Sequence, residues 1–274
     1  NNILLNKVQF FTRYNYMSFQ VTSLITSNFG GNTCVFYMTI PENTTNYYIW
    51  RTYDGSGNNL SNPSWGQAGQ PLLRQASSDY KDGLNSLAER SPNNPNPRIV
   101  SNNVCKETKE TPNSLSLSSM TWLWGQFLDH EIDLTEPDNT EPANMVTPDT
   151  KTDPEEDFPG RTIPFHRSHI VMGSGITSPR EQPNDISAYI DGTNVYGYTS
   201  DRASKLRLLN GSGKLKTTIS DNKQVILPYN TLGLPNAQPS GTNPEDFFIA
   251  GDIRANENIL LISIHTLFVR EHNR

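Results

Sequence analysis

The clearest hydrophobic pattern in the chain lies in residues 114–130, SLSLSSMTWLWGQFLDH. Apolar side chains recur there at intervals of three and four residues, which is the period of an amphipathic α-helix. These positions are Leu117, Met120, Trp124, Phe127 and Leu128. Serine is a common residue at helix N-caps. The pattern therefore predicts a helix over 114–130, with Ser114 available as its cap.

The helical period also marks two later segments. In SDRASKLRLLN, residues 200–210, Ser200 is in position to cap the start of a helix and Gly211 to end it. The segment ENILLISIHTLFVREHNR, residues 257–274, predicts a strongly amphipathic helix. Its spacings of three and four join Leu260, Leu261, Ile264, Leu267, Phe268 and Glu271. Because this pattern reaches Arg274 without a glycine or proline, we expect the natural protein to continue.

The remaining segments are dominated by residues that form turns and loops. Residues 1–50 contain short strand-like pieces such as NTCVFYMTI at 32–40. Residues 51–74 combine Gly, Asn, Ser and Pro and predict an ordered surface loop, while the acidic, proline-punctuated residues 136–160 predict an exposed one. The chain has 19 prolines and 18 glycines, so regular structure should be concentrated in a few segments.

Composition and charge exclude several classes of protein. The 274 residues carry a net charge of -6 and no cluster of Lys and Arg, which argues against nucleic-acid binding. No apolar run is long enough for a membrane span. The chain opens without a signal-peptide pattern, and its two cysteines are too few for a disulfide scaffold. Asn-x-Ser/Thr sites at Asn43, Asn59 and Asn210 suit a secreted glycoprotein, so we expect an extracellular location.

Candidate chemistry is concentrated in WLWGQFLDHEID, residues 122–133. Gln126 and His130 are four residues apart and therefore share one face of a helix, while Asp129 is rotated from His130 by about 100°. Such a face can present an imidazole to a substrate with an amide beside it. The alternative is that His130 marks a polar helix end, with Asp129 and Glu131 solvated.

Three segments in order resemble the animal haem peroxidases of the peroxidase–cyclooxygenase superfamily. WGQFLDHEIDLT resembles the family's distal-histidine segment, and residues 163–197, IPFHRSHIVMGSGITSPREQPNDISAYIDGTNVYG, resemble the segment that carries its calcium loop. FFIAGDIRANEN followed by HTLFVREHNR is similar to the distal-arginine segment and the helix after it. The resemblance covers residues 51–274, and residues 1–50 remain unassigned. It implies a mainly helical fold with long loops and little β structure, forming an incomplete domain.

Carried onto this chain, the resemblance implies that His130, Gln126 and Arg254 are catalytic. It also implies that Asp129 and Glu257 bind the haem, because they match the carboxylates that form esters with it in some members. The chemistry of these residue types agrees. A neutral imidazole can move a proton between the two oxygens of a peroxide, and a permanent cation stabilises the negative charge that develops during cleavage.

The second implied cofactor is Ca²⁺. In SAYIDGT, the oxygens of Ser187, the Tyr189 carbonyl, Asp191 and Thr193 lie at alternate positions and could converge on a hard cation. The alternative for this segment is a short strand that ends in an Asp-Gly turn. The remaining ligand of the family follows the distal histidine and is usually Asp. Here it is Glu131.

The implied function is that of the N-terminal, distal part of a peroxidase domain, truncated before the proximal histidine and lacking its C-terminal half as a partner. The complete protein would reduce H₂O₂ and oxidise halides or small organic donors, whereas this chain alone should be nearly inactive. A non-catalytic, peroxidase-like binding or matrix protein is one alternative, and a fatty-acid dioxygenase of the same superfamily is another. Asn258 replaces the methionine that bonds to the haem in one branch, so we expect no such bond.

Overall fold

The computed structural model describes residues 25–29, 32–36, 51–88, 94–146, 162–239 and 241–274. The chain divides into two compact units, Asn1–Ile49 and Trp50–Arg274. In the first unit, strands β1 (Ile25–Phe29) and β2 (Asn32–Phe36) form an antiparallel hairpin. Asn32–Phe36 falls within the strand-like piece predicted at 32–40, whose last four residues lie outside the described residues.

Among its described residues, the second unit has five α-helices joined by long loops: α1 (Pro97–Val104), α2 (Ser119–Ile132), α3 (Thr193–Tyr196), α4 (Ser200–Leu206) and α5 (Ile259–Asn273). A short 3-10 helix covers Pro244–Asp246. The prediction of a mainly helical fold with long loops and little β structure is thus confirmed. No helix within the described ranges is long and apolar enough to cross a lipid bilayer.

The strands of this unit that the structure describes are short and form three antiparallel pairs. Strand β3 (Pro137–Pro142) pairs with β6 (His166–Ser168), and β4 (Met145–Val146) pairs with β5 (Thr162–Ile163). The third pair is β7 (Thr218–Ile219) with β8 (Val225–Ile226). The prediction of a loop over 136–160 is therefore wrong for residues 137–142 and 145–146. Residues 147–161 lie outside the described residues.

The main hydrophobic core lies where α2, α3 and α5 meet. Phe127 of α2 stacks on Phe268 of α5 with ring centroids 4.9 Å apart, and Val195 of α3 packs into the same cluster. Other buried members are Leu123, Leu206, Leu215, Leu227, Leu234, Ile249, Leu261, Ile264 and Val269. This packing fixes the last turn of α2 against α3 and α5, where the candidate site lies.

The helix boundaries differ from the predicted ones for local reasons. Helix α2 begins at Ser119 after Ser118, so the cap predicted at Ser114 is wrong, and Leu115 and Leu117 are exposed. Helix α4 is capped by Thr199, whose side chain accepts a hydrogen bond from the Arg202 N–H. It ends at Leu206 because Arg207 turns into extended backbone, so Gly211 is not the residue that ends it.

Helix α5 buries a different stripe from the predicted one. Leu261 and Ile264 are buried and Phe268 packs against the core, as the spacing predicted, but Leu260 and Leu267 are exposed. The buried face instead includes His265, Thr266 and Val269. The apolar positions of this helix are numerous enough to define more than one stripe, and packing against α2 and α3 selects one of them.

Candidate active site

The last turn of α2 directs two ionisable side chains into the protein interior. Leu123, Phe127, His130 and Glu131 are all buried, and the spacing of four, seven and eight residues from Leu123 puts them on one helical face. Gln126 is half-buried at the edge of this face, whereas Asp129 is exposed. The alternative of a solvated helix end therefore describes Asp129 but neither His130 nor Glu131.

A turn at residues 251–257 brings Arg254 to His130. Gly251 is required at the start of the turn because a Cβ there would collide with the carbonyl oxygens of Thr193 and Asn194. The Asp252 N–H donates to the Asn194 carbonyl at 3.0 Å, which fixes the turn on α3. Nη2 of Arg254 then donates to the carbonyl oxygen of His130 at 3.3 Å.

Gln126 and Glu257 join the same site through side-chain hydrogen bonds. The Gln126 amide donates to Oε2 of Glu257 at 2.8 Å, and the Asn258 amide donates to Oε1 of Gln126 at 3.0 Å. Nε2 of His130 lies 3.7 Å from Oε2 of Glu257. The structure thus brings Gln126, His130, Arg254 and Glu257 together, although α2 and the turn are more than a hundred residues apart in sequence.

Asp252 is a buried member of this site that the sequence analysis did not identify. Its carboxylate accepts hydrogen bonds from Nε and Nη2 of Arg254, both at 2.9 Å, and lies 4.0 Å from Nδ1 of His130. The available sequence signal was an acidic residue two positions before the predicted arginine. Periodicity could not have found it, because the residue lies in a turn.

Burial and neighbouring charges set the protonation states of the site. Burial, followed by the positive charge of Arg254, lowers the pKa of His130 and favours the neutral imidazole. Burial would raise the pKa of Asp252, but the hydrogen bonds and charge of Arg254 outweigh it and lower the pKa. Burial likewise opposes the charge of Arg254, yet Asp252 raises its pKa overall. The site therefore combines a neutral base with a permanent cation.

Glu131 ties α2 to the loop at 187–194. Its Oε2 accepts the backbone N–H groups of Asp191 at 3.0 Å and Gly192 at 2.7 Å, and its Oε1 accepts that of Asn194 at 2.6 Å. Burial, with a contribution from the Asp191 charge, raises the pKa of Glu131 despite these bonds. The carboxylate thus holds the loop directly.

The other predicted metal ligands lie in this loop. The Ser187 hydroxyl donates to Oδ2 of Asp191 at 3.0 Å and accepts the Tyr189 N–H at 3.1 Å. Thr193 is buried, and its hydroxyl oxygen has no hydrogen-bond partner within the described residues. Residues 187–190 form bends and irregular backbone, so the strand in the alternative of a short strand before an Asp-Gly turn is wrong. Gly192, with a φ of 86°, leads directly into α3. In the part of the chain that the structure describes, no three His, Cys, Asp or Glu side chains are grouped to hold a metal ion.

The chain is similar in sequence to one family of known proteins. The family model described as animal haem peroxidase matches residues 50–274. The human peroxidasin homolog (Homo sapiens) is 35% identical over 259 residues, covering 82% of this chain and 17% of that protein. Lactoperoxidase from Mesocricetus auratus is 33% identical over 269 residues, covering 86% of this chain and 37% of that protein.

Solved structures give a similar result. Peroxidase A from Dictyostelium discoideum has a TM-score of 0.70 at 27% identity, covering 83% of this chain and 46% of that one. A fatty acid alpha-dioxygenase from Arabidopsis thaliana has a TM-score of 0.61 at 23% identity, a likeness that concerns the fold alone, and covers 82% of this chain and 31% of that one. This chain therefore spans less than half the length of each of these four relatives.

Proposed function

The chain belongs to the animal haem peroxidase family, and on this basis we propose that it forms the distal side of a haem site in a peroxidase. The complete protein would reduce H₂O₂ and oxidise halides or small organic donors. The observation that carries this proposal is the meeting of His130 with Arg254 in one site, beside Gln126 and Glu257. Membership of the family supports the class of oxidoreductase, whereas the donors are part of the proposal.

The residues present fit the distal face of a haem. Trp122, Gly125, Gln126 and Asp129 follow one another along one side of α2, and a Cβ added at Gly125 would meet no atom within 4 Å. The carboxylates of Asp129 and Glu257 are exposed beside this open strip, where they could bind a haem or form esters with it. A bound haem would supply the redox chemistry of peroxide reduction.

His130 serves as the base in this proposal. Its neutral imidazole accepts a proton from one peroxide oxygen and returns it to the departing oxygen. Nε2 is the nitrogen that faces Gln126 and Glu257, so it is the one that reaches a ligand on that side. Gln126, fixed between Glu257 and Asn258, orients the ligand by a hydrogen bond.

Arg254 stabilises the negative charge that develops as the peroxide bond breaks. Within the described residues, its side-chain hydrogen bonds come from Nε and Nη2, which leaves the Nη1 donors for a ligand. A guanidinium suits this role because it stays charged at any physiological pH.

Peroxide turnover by the haem-loaded natural protein tests the proposal. We expect a Soret band and H₂O₂-dependent oxidation, and we expect His130→Ala to lower kcat/KM for peroxide by about 10²- to 10⁴-fold, the usual contribution of a general base. His166→Ala is the matched control, because His166 lies in β6 and outside the site. Failure to bind haem would favour the non-catalytic, peroxidase-like protein instead. Oxygenation of a fatty acid that persists after His130→Ala would favour the dioxygenase.

We also propose that Glu131, Ser187, Asp191, Thr193 and the Tyr189 carbonyl bind Ca²⁺. Two features support this. The charges of Glu131 and Asp191 are close enough to raise the pKa of Glu131 after the larger effect of burial, and the Thr193 hydroxyl is a buried oxygen without a partner among the described residues. A bound cation would relieve the repulsion between the carboxylates. It would also have to share Glu131 with three backbone amides.

Thermal unfolding distinguishes stabilisation by bound Ca²⁺ from stabilisation by the hydrogen bonds between Glu131 and the backbone amides. If Ca²⁺ binds, EDTA lowers Tm, added Ca²⁺ restores it and Mg²⁺ does not, and Thr193→Val weakens the response. Glu131→Gln should destabilise the fold by about 3 kcal/mol with or without metal, because it replaces a buried, charged acceptor of three backbone N–H groups. Glu136→Gln is the control at an exposed carboxylate. A wild-type Tm unaffected by EDTA and Ca²⁺ would disprove the calcium site and leave the haem proposal untouched.

The remaining partner is further polypeptide of the same domain. Trp124, Ile259 and Leu267 on α2 and α5 are between 46% and 77% exposed, and large apolar side chains exposed on neighbouring helices are typical of a surface that another polypeptide covers. We propose that the C-terminal half of a peroxidase domain covers them. Binding of a hydrophobic dye should then be strong in this chain and weak in a longer protein that contains that half. Equal dye binding would contradict this.

An extracellular location is proposed from the glycosylation sites. Asn210 is exposed after α4, and Asn59 is half-buried in a loop where its side chain accepts the Ser61 and Asn62 N–H groups. Asn43 lies outside the described residues. A mobility shift on enzymatic deglycosylation, smaller in Asn210→Gln, checks this location.

A further inference from the structure

Asp252 holds Arg254 more completely than a single ion pair would. Its Oδ1 accepts the Arg254 backbone N–H at 2.7 Å and Nε at 2.9 Å, and its Oδ2 accepts Nη2 at 2.9 Å. The Asp252 side chain is only 1% exposed. A two-point contact between carboxylate and guanidinium fixes the plane of the guanidinium as well as its position.

Asp252 is itself fixed by the protein backbone. Its N–H is bonded to the Asn194 carbonyl at 3.0 Å, and its carbonyl accepts Nη2 of Arg202 at 3.4 Å. Arg202 of α4 also donates to the carbonyls of Ala250 and Pro235, both at 2.7 Å. The backbone of Asp252 is thus held by α3 and α4 without any contribution from the Arg254 side chain.

The same carboxylate lies beside His130. Nδ1 of His130 is 4.0 Å from Oδ1 of Asp252 and has no hydrogen-bond partner within the described residues. Nε2 faces the exposed Glu257 on the other side of the ring. Nη2 of Arg254 completes the link by donating to both Asp252 and the His130 carbonyl.

We propose that Asp252 is a positioning residue for the site: it holds the guanidinium of Arg254 in one orientation, in which Nη1 makes no hydrogen bond to the described residues, and through Nη2 holds the end of α2 that carries His130. It touches neither peroxide nor haem, and its effect on catalysis is exerted through Arg254. The catalytic meaning of this inference rests on the proposed peroxidase function, whereas the positioning itself does not. Groups fixed before the ligand arrives need no reorganisation during the reaction.

Hydrogen exchange of arginine Nε–H groups in the 274-residue chain measures the positioning without haem. The Arg254 signal is identified by its loss in Arg254→Lys. We expect it to exchange at least about tenfold more slowly than that of the exposed Arg274, since a charge-assisted bond to a buried carboxylate opens rarely. Asp252→Asn should abolish most of this protection and leave that of Arg202, whose Nε is bonded to the Ala250 carbonyl. Asp246→Asn, at an exposed carboxylate, should change neither.

If Asp252→Asn does not fold, the exchange rate of the Arg254 Nε–H in the wild-type chain tests the proposal by itself. An Arg254 Nε–H that exchanges as fast as that of Arg274 would overturn the proposal. Retained protection of Arg254 in a folded Asp252→Asn chain would overturn it too.

Peroxide kinetics of the haem-loaded natural protein test the catalytic meaning. Asp252→Asn and Arg254→Gln should lower kcat/KM for peroxide to a similar extent, and the double variant should lose no more than either. Additive losses would overturn the view that Asp252 acts through Arg254. A wild-type protein that binds no haem would refute the peroxidase function and leave the exchange result standing.

Discussion

At the scale of single residues, His265 is an ionisable side chain held where it cannot easily ionise. It is 1% exposed in α5, its ring meets the edge of Phe127 at a centroid distance of 5.1 Å, and neither ring nitrogen has a partner within the described residues. Burial lowers its pKa to about 4. His265 therefore lies among the buried side chains of α5.

The buried His265 should make the fold sensitive to acid. Its pKa is lower in the folded chain than in the unfolded chain, so the unfolded chain binds the proton first as the pH falls. Stability should therefore be lost from about pH 6.5 down to about pH 4, by roughly 3 kcal/mol in total and about 2 kcal/mol between pH 7 and pH 5. His265→Leu should remove this part of the pH dependence. Denaturant unfolding of both chains at the two pH values measures it.

The exposed His272 supplies the control for this prediction. Because His272 lies at the exposed end of α5 and outside the buried core, His272→Leu should keep the wild-type loss of stability between pH 7 and pH 5. If His265→Leu shows the same acid loss as the wild type, the acid sensitivity has another source.

At the scale of elements, Asn258 connects a helix to the site. Its side chain accepts the Leu261 N–H and so caps α5, and its amide donates to Gln126 on α2. From the sequence alone, Asn258 was notable only as a replacement for a methionine. In the structure, the oxygen of its amide group caps α5 and the nitrogen donates to Gln126.

Two substitutions separate these tasks. Asn258→Ala removes the cap and should lower the free energy of unfolding by about 1 kcal/mol. Asn258→Asp keeps an acceptor at the helix N-terminus, so it should stay within about 0.5 kcal/mol of the wild type while losing the donor to Gln126. Equilibrium unfolding measures both. Equal losses in the two Asn258 variants would show that capping is not the stabilising contact.

The sequence predicted the elements better than their ends. Apolar spacing located α2 and α5 because each packs one face on the common core. It placed the start of α2 too early because Leu115 and Leu117 continue the pattern without packing, and it could not select between Leu267 and Val269 on α5. Which apolar side chains are buried depends on the neighbouring helix, and spacing within one helix does not contain that information.

Only part of the site could be predicted from the sequence, because the rest depends on how distant segments pack together. The spacing of Gln126 and His130 indicated a shared helix face, and the resemblance to a family added Arg254 and Glu257. Asp252 gave no periodic signal, and its distance from His130 is set by tertiary packing across more than a hundred residues. The hydrogen bonds that Glu131 accepts from backbone amides could not be predicted either. Almost every residue has a backbone N–H, and the sequence does not show which of them will lie near Glu131.

At the scale of the whole molecule, every described contact of the site belongs to the unit Trp50–Arg274. The matched family model begins at residue 50 as well. The boundary predicted between residues 50 and 51 on the basis of resemblance lies one residue away from the division at Ile49. We therefore treat residues 50–274 as the part of this chain that carries the site.

Removal of residues 1–49 tests this division. Because the main core and the site draw their described side chains from residues 51–274, we expect the shortened chain to unfold within about 2 °C of the main transition of the whole chain. A loss of about 1 kcal/mol would lower Tm of a chain of this size by about 2–4 °C, which scanning calorimetry resolves. The slow exchange of Arg254 Nε–H should also survive the deletion, and it serves as an internal check on the site. A fall in Tm of more than about 4 °C, or loss of that protection, would mean that residues 1–49 help to stabilise the unit, and the domain boundary would have to be redrawn.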